Sequence, residues 1–267
     1  MIILSNSSKR SNFTIDRLGK FGFDSSAFSG AVTSGEEALQ YIQRNGLVGQ
    51  KALVFSWEDF RQADAPFFDQ VQPEFASPAE GARYILCHGS QVISTALGDT
   101  STRLQQEGIV DDYEDLLKDA AEKGLLMVVA NPDFTVKKPD GSTAYMPGLL
   151  ARRYQELGGP LVTFGKPGVS HFQACIRMLG QQQDGEGQPI LPDRIIHVGD
   201  SLHHDIQGAA DAGIDSLFIG GGIHSADLQL SDAPHELSSA EINPSSLVTL
   251  CSKYTSEPSW SSTLFKW

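Results

Sequence analysis

The stretch IIHVGDSLHHDIQGAADAG (residues 195–213) decides the fold. Its apolar start reads as a buried strand that Gly199 ends, so that Asp200 stands at the strand's carboxyl edge. Ser201 has the side chain of a helix N-cap, and Asp205 returns a second carboxylate near the same turn. Two close carboxylates repel unless something positive lies beside them. A hard divalent cation such as Mg2+ suits that position, because it accepts one or two carboxylates and keeps waters that a phosphate can displace. The alternative is that both acids cap the helix and favour its positive end. His203 and His204 diverge on consecutive helical positions and read as surface or structural residues. His197, inside the strand, reads as a core histidine rather than a base.

Working outward, the same pattern of apolar run, polar turn and helix recurs along the chain. The runs are IIL (2–4), ALVFSW (52–57), YILCHG (84–89), LLMVVANPD (125–133), LVTFGKP (161–167), RIIHVGD (194–200) and SLFIGGG (216–222). Between them lie helical patterns such as DYEDLLKDAAEKG, where Tyr113, Leu116, Leu117 and Ala120 share a face and Gly124 supplies a stop. Strands alternating with helices predict an α/β fold with a parallel sheet and crossover helices. In such folds chemistry gathers at the carboxyl ends of strands. Four runs end in suitable residues: Ser5-Asn6, Asn131-Pro132-Asp133, Gly165-Lys166-Pro167 and Gly199-Asp200-Ser201. From about residue 230 onward the pattern thins. DAPHELSSAEINPSS reads as loop, and the last residues as a short helix with an aromatic tail docked on the body. WEDFRQADAPFFDQVQPEF (57–75) reads as a cover for the core, with lining of a substrate entrance as the alternative.

The bulk numbers narrow the function. A net charge of −13 opposes nucleic acid and anionic lipid surfaces, and no dense Lys/Arg cluster offsets it. A small anionic substrate stays open, because a metal ion can make a site locally positive. Cys87, Cys175 and Cys251 are far apart and read as reduced thiols. No secretory signal or membrane span is present, so a soluble intracellular protein is expected, in the cytoplasm or an organelle such as a plastid.

TFGKPGVSHFQACIRMLG places Lys166 between Gly and Pro at a strand end, where an ammonium can be held over an anion and the next helix start adds backbone donors. It does not have P-loop spacing, and no Gly-x-Gly-x-x-Gly follows a strand. A plain surface lysine is the alternative. Taken in order, Ser-Asn at a strand end, a long insert, VVANPD, MPG (146–148), GKP and VGDSLHHDIQGAADAGIDSLFI resemble the haloacid dehalogenase superfamily. The likeness is to subclass IIA, whose α/β cap lies between the Ser/Thr and Lys motifs, and within it to plant and algal hydrolase-like members.

That resemblance implies a Rossmann-like parallel-sheet core over 1–46 and 161–267 with an inserted α/β cap over 47–160. It implies a Mg2+-dependent phosphoric monoester hydrolase acting on a small phosphorylated metabolite, and a cap-to-cap homodimer. Ser5 would bond the phosphoryl group, with Asn6 beside it. Lys166 would neutralise phosphate charge, Asp200 would ligate Mg2+, and Asp205 would steady Lys166 or the metal's surroundings. Asn131 and Asp133 would meet the leaving group. The family's nucleophile sits on a strand ending in Asp-x-Asp that precedes the Ser motif. No apolar run of these residues ends that way, so the expectation is an N-terminally truncated chain, inactive as given and poorly stable in its core. A non-catalytic phospho-ligand or protein-binding relative is the alternative.

Overall fold

The computed structural model describes residues 1–138, 142–183, 187–231 and 240–265, and each of the seven apolar runs contributes a strand. The chain is a mixed α/β protein that divides into two units, Met1–Gly165 and Lys166–Trp267.

The first unit is built on strands β1 (Ile2–Ser5), β2 (Gly30–Thr33), β3 (Lys51–Ser56), β4 (Glu74–Phe75), β5 (Tyr84–Cys87), β6 (Val92–Thr95), β7 (Gly98–Ser101), β8 (Leu126–Val129), β9 (Thr135–Lys137), β10 (Thr143–Tyr145) and β11 (Leu161–Thr163). The main sheet runs β11-β8-β5-β3-β6-β7, with β4 beside the start of β3. Strands β11, β8, β5 and β3 are parallel, while β6 and β7 turn antiparallel. The parallel strands read as unbroken apolar runs because both faces are covered. Leu53, Phe55, Ile85, Cys87, Met127 and Val129 face the helices Glu114–Glu122 and Gly148–Glu156. The alternate residues Ala52, Val54, Tyr84, Leu86 and Val128 face the helix Ser34–Arg44 together with Phe60, Phe67, Phe68 and Val71. Most of the apolar content of 57–75 therefore covers the core. Tyr113, Leu117 and Ala120 are buried and Leu116 packs against them, as the helical period predicts.

Two pairings in this unit have no apolar signal in the sequence. The antiparallel pair β9–β10 is short and partly exposed, and β2 offers only Ala31 and Val32 to the core. Parallel pairing joins β1 to β2 alone among the described residues, and its residues are only half-buried.

The second unit holds β12 (Ile196–Gly199), β13 (Asp215–Ile219) and β14 (Trp260–Ser262), all parallel, in that order across the sheet. Leu202, Ile206, Phe218, Leu228, Leu250 and Cys251 form its core. The expected C-terminal helix is Pro244–Cys251, capped by Asn243. The aromatic tail docks as a strand rather than as loose side chains, with Trp260 paired to Leu217. Of the expected loop 232–246, residues 232–239 lie outside the described residues, as does Trp267.

Candidate functional site

Polar groups gather at strand ends in each unit. In the first unit β1 delivers Ser5 and Asn6 to a chain of small turns. The Ser5 hydroxyl accepts from the Ser7 amide at 3.2 Å, and the Ser7 hydroxyl from the Lys9 amide at 3.2 Å. Buried Asn6 donates its amide to the Asp133 carboxylate at 2.8 Å, and the Asn131 side chain accepts the Asp133 N–H at 3.1 Å. The ends of β1 and β8 are thus tied together. Gly165, at φ +123°, closes the same cluster. A Cβ there would stand 2.7 Å from the Asn6 carboxamide oxygen and 2.5 Å from the Ser34 hydroxyl, so only glycine fits.

These residues line a cavity of about 310 Å³, with Ser5, Asn6, Asn131 and Asp133 on its wall. The wall also carries Lys9, Trp57 and Met146. The Lys9 ammonium lies 2.7 Å from the buried Asp64 carboxylate, and the Trp57 indole donates to the Ser8 hydroxyl at 3.0 Å. Burial pushes the Asp64 carboxyl above its usual range, and the Lys9 hydrogen bond and charge only partly offset this. Behind them His88 is fully buried against Phe67 and Phe68, and neither ring nitrogen reaches a partner at hydrogen-bonding geometry. Burial pulls its pKa down to about 3, so the ring is neutral.

In the second unit the arrangement centres on one carboxylate. Asp205 is buried, and its Oδ1 accepts from Lys166 Nζ at 2.7 Å and meets His197 Nε2 at 2.9 Å. Its Oδ2 accepts the Ser201 N–H at 3.0 Å. Burial alone would raise this carboxyl. The His197 hydrogen bond and the Lys166 charge outweigh it and hold Asp205 well below the usual carboxylate range. Asp205 presses on the strand end so closely that a Cβ at Gly199 would stand 2.2 Å from its Cγ. Ser201 caps the turn by accepting the His204 N–H at 3.0 Å. The Lys166-Pro167 peptide is cis.

Asp200 is half-buried, and its Oδ2 accepts the Ile223 N–H at 3.0 Å. No group of three or more acidic, histidine or cysteine ligands occurs among the described residues. A single carboxylate with one oxygen engaged by a backbone donor fits a hydrated cation such as Mg2+, which binds through one or two carboxylates, and does not fit an all-protein metal cage.

Residues 163–244, which contain Lys166, Asp200 and Asp205, match the model of the HAD-hydrolase-like family. The fold is haloacid dehalogenase-like. It is similar to that of a haloacid dehalogenase-like family hydrolase from Brucella suis, with TM-score 0.69 and 23% identity over 97% of this chain and 81% of that one. A p-nitrophenyl phosphatase from Archaeoglobus fulgidus gives TM-score 0.58 and 17% identity over 97% and 82%. A glycerol phosphate phosphatase from Mycobacterium tuberculosis, solved in complex with calcium, gives 0.53 and 19% over 84% and 58%. No curated protein matches the chain by sequence.

The expected residues thus fall into two sets. Ser5, Asn6, Asn131 and Asp133 come together in the first unit; Lys166 and Asp205 come together in the second, with Asp200 next to the same turn. His203 is exposed, and His204 takes part in the Ser201 cap. Three residues of these clusters belong to no site motif in the sequence. Lys9 follows Ser5 by one short turn and Trp57 follows the end of β3, so the strand-end rule contained the signal for both. His197 has the strand position of a core residue, and its bond to Asp205 joins residues that only the folded turn brings together.

Proposed function

We propose that this chain belongs to a Mg2+-dependent phosphatase-type hydrolase acting on a small phosphorylated metabolite. Its core would comprise 1–46 and 161–267 and its cap 47–160. The observation that carries this reading is the Lys166–Asp205 pair next to Asp200. It places an anchored ammonium and a carboxylate with a free oxygen within one turn of a strand end. Phosphoryl transfer asks mainly for positioning and charge neutralisation, which these groups supply. Lys166 would neutralise and orient the phosphate, the Ser5 hydroxyl and Asn6 would bond its oxygens, and Asn131 and Asp133 would meet the leaving group. Asp200 would hold Mg2+, which when bound supplies Lewis-acid charge. The calcium in the mycobacterial phosphatase's structure supports a divalent cation here.

The attacking carboxylate is not among these residues, since no apolar run ends in Asp-x-Asp. We place it on a strand outside them. On this reading the chain as given binds phosphate without hydrolysing an ester. The same absence favours a second reading, a non-catalytic relative that binds a phospho-ligand or a protein.

Inorganic phosphate with Mg2+ should raise the melting temperature of the chain. Asp200→Asn should remove the Mg2+-dependent part and Lys166→Ala the phosphate-dependent part; no rise in the unaltered chain overturns the site. Sequencing the transcript's 5′ end separates the two readings. An upstream Asp-x-Asp strand favours the hydrolase, and its absence favours the binding protein.

A further inference from the structure

His197 is a polar side chain of this region that neither the metal nor the phosphate reading uses. It lies on β12, three residues before Asp200, and its side chain is 13% exposed. Its Nε2 meets Asp205 Oδ1 at 2.9 Å, the same oxygen that accepts from Lys166 Nζ at 2.7 Å. The ring is set in turn by Phe172, whose centroid lies 4.9 Å away at an interplanar angle of 67°.

We propose that His197 is a positioning residue for Lys166, acting through Asp205. The inference rests on Lys166 being the phosphate-binding cation. The Ser201 N–H holds Asp205 Oδ2, and His197 holds Oδ1 from the strand side. With both oxygens engaged, the carboxylate plane is fixed, and the remaining direction on Oδ1 is the one Lys166 occupies. A lysine ammonium sits on a flexible four-carbon stem and cannot pre-organise itself. It takes its position from the acceptor that anchors it, so fixing the acceptor fixes the cation. Gly199 belongs to the same device, because any side chain there would displace Asp205 from the strand.

The test compares His197→Gln, which keeps an N–H donor near the position of Nε2, with His197→Phe, which keeps a ring and removes the donor. Binding of inorganic phosphate to the full chain is measured by titration calorimetry. In parallel, reductive methylation of Lys166 is followed by mass spectrometry. His197→Phe should weaken phosphate binding about tenfold, by analogy with the loss of groups that orient metal ligands, and should speed labelling of Lys166. His197→Gln should stay close to the unaltered chain in both. If Phe and Gln weaken binding equally with unchanged labelling, the histidine is merely structural and the inference fails. If Lys166→Ala abolishes phosphate binding while His197→Phe leaves it intact, the inference fails and the phosphate site survives. If the unaltered chain binds no phosphate, both fall.

Discussion

The polar cluster at the end of β1 and the one at the end of β12 both present side chains beyond a strand, but they are held by different forces. Apart from the Lys9–Asp64 ion pair, the first is a mesh of mostly neutral groups: hydroxyls accepting backbone N–H groups, and the Asn6 amide on Asp133. The second is a charge assembly in which one buried carboxylate is shared by an ammonium and an imidazole. Neutral hydrogen bonds contribute modestly, and each can be lost singly. A buried carboxylate with its partners stands or falls as a unit, because removing one member strands the others without compensation. The first cluster should therefore tolerate change gradually, and the second should fail abruptly.

The sharpest way to break that contrast is Asp205→Ala. It leaves Lys166 and His197 facing an emptied pocket, and the expected loss is about 3–5 kcal/mol in urea unfolding. A loss near 1 kcal/mol would place this carboxylate among ordinary polar contacts. The pH dependence has a definite sign. The folded-state pKa of Asp205 is held below its ordinary 3.8. Its contribution is thus present above about pH 3.8 and disappears as the pH falls through the lowered value.

His88 should make the first unit lose stability in a different acid window. Its pKa falls from 6.5 to about 3 on burial. The neutral ring therefore contributes fully above pH 6.5, and the contribution is lost as the pH falls from there toward 3, because the unfolded chain takes up the proton first. Replacing His88 by Leu should flatten this slope by a few kcal/mol (about 1.4 kcal/mol per pKa unit). At neutral pH it should cost little, since neither nitrogen has a partner to lose. An unchanged slope between pH 6.5 and 3 would show that the buried ring is not its source.

The two clusters also differ in how far the sequence disclosed them. The second is written almost contiguously, over His197 to Asp205, so a strand, a cap and two acids could be read together. Only Lys166 is remote, and its Gly-Lys-Pro setting marks it. The first is split between residues 5–9, 57, 131–133 and 146, and no local period shows that β1 and β8 will lie close enough for Asn6 to reach Asp133. The same limit applied to the fold. All seven strands with apolar runs were legible, most clearly β3, β5 and β8, which are buried on both faces. Strands such as β2, β9, β10 and β14 carry too few apolar residues to show a pattern. They form because a neighbour supplies the edge they pair with.

Gly165→Ala tests whether the first cluster has any abrupt element. The φ of +123° and a Cβ 2.5 Å from Ser34 Oγ and 2.7 Å from Asn6 Oδ1 both oppose a side chain. A loss of roughly 1–3 kcal/mol is expected, measured by thermal unfolding, with Asn6 forced away from Asp133. If the loss is near zero, the strand end can shift to admit a methyl group and the cluster is not fixed by this glycine.

The smallest effect should come from Asn6→Ala. It removes the donor to Asp133 Oδ1 but leaves the Asp133 N–H on Asn131 and the Gly148 N–H on the Asp133 carbonyl, so the turn after β8 keeps its other ties. Asp133 also lines the cavity, where its carboxylate can be solvated once the amide is gone. The expected cost is therefore about 1 kcal/mol, the net value of one hydrogen bond rather than of a stranded charge. A urea titration of Asn6→Ala beside Asp205→Ala places the two clusters on one scale. If Asn6→Ala matched Asp205→Ala, Asp133 would be as cut off from water as Asp205. The contrast between a mesh that yields gradually and a charge assembly that fails at once would then be wrong.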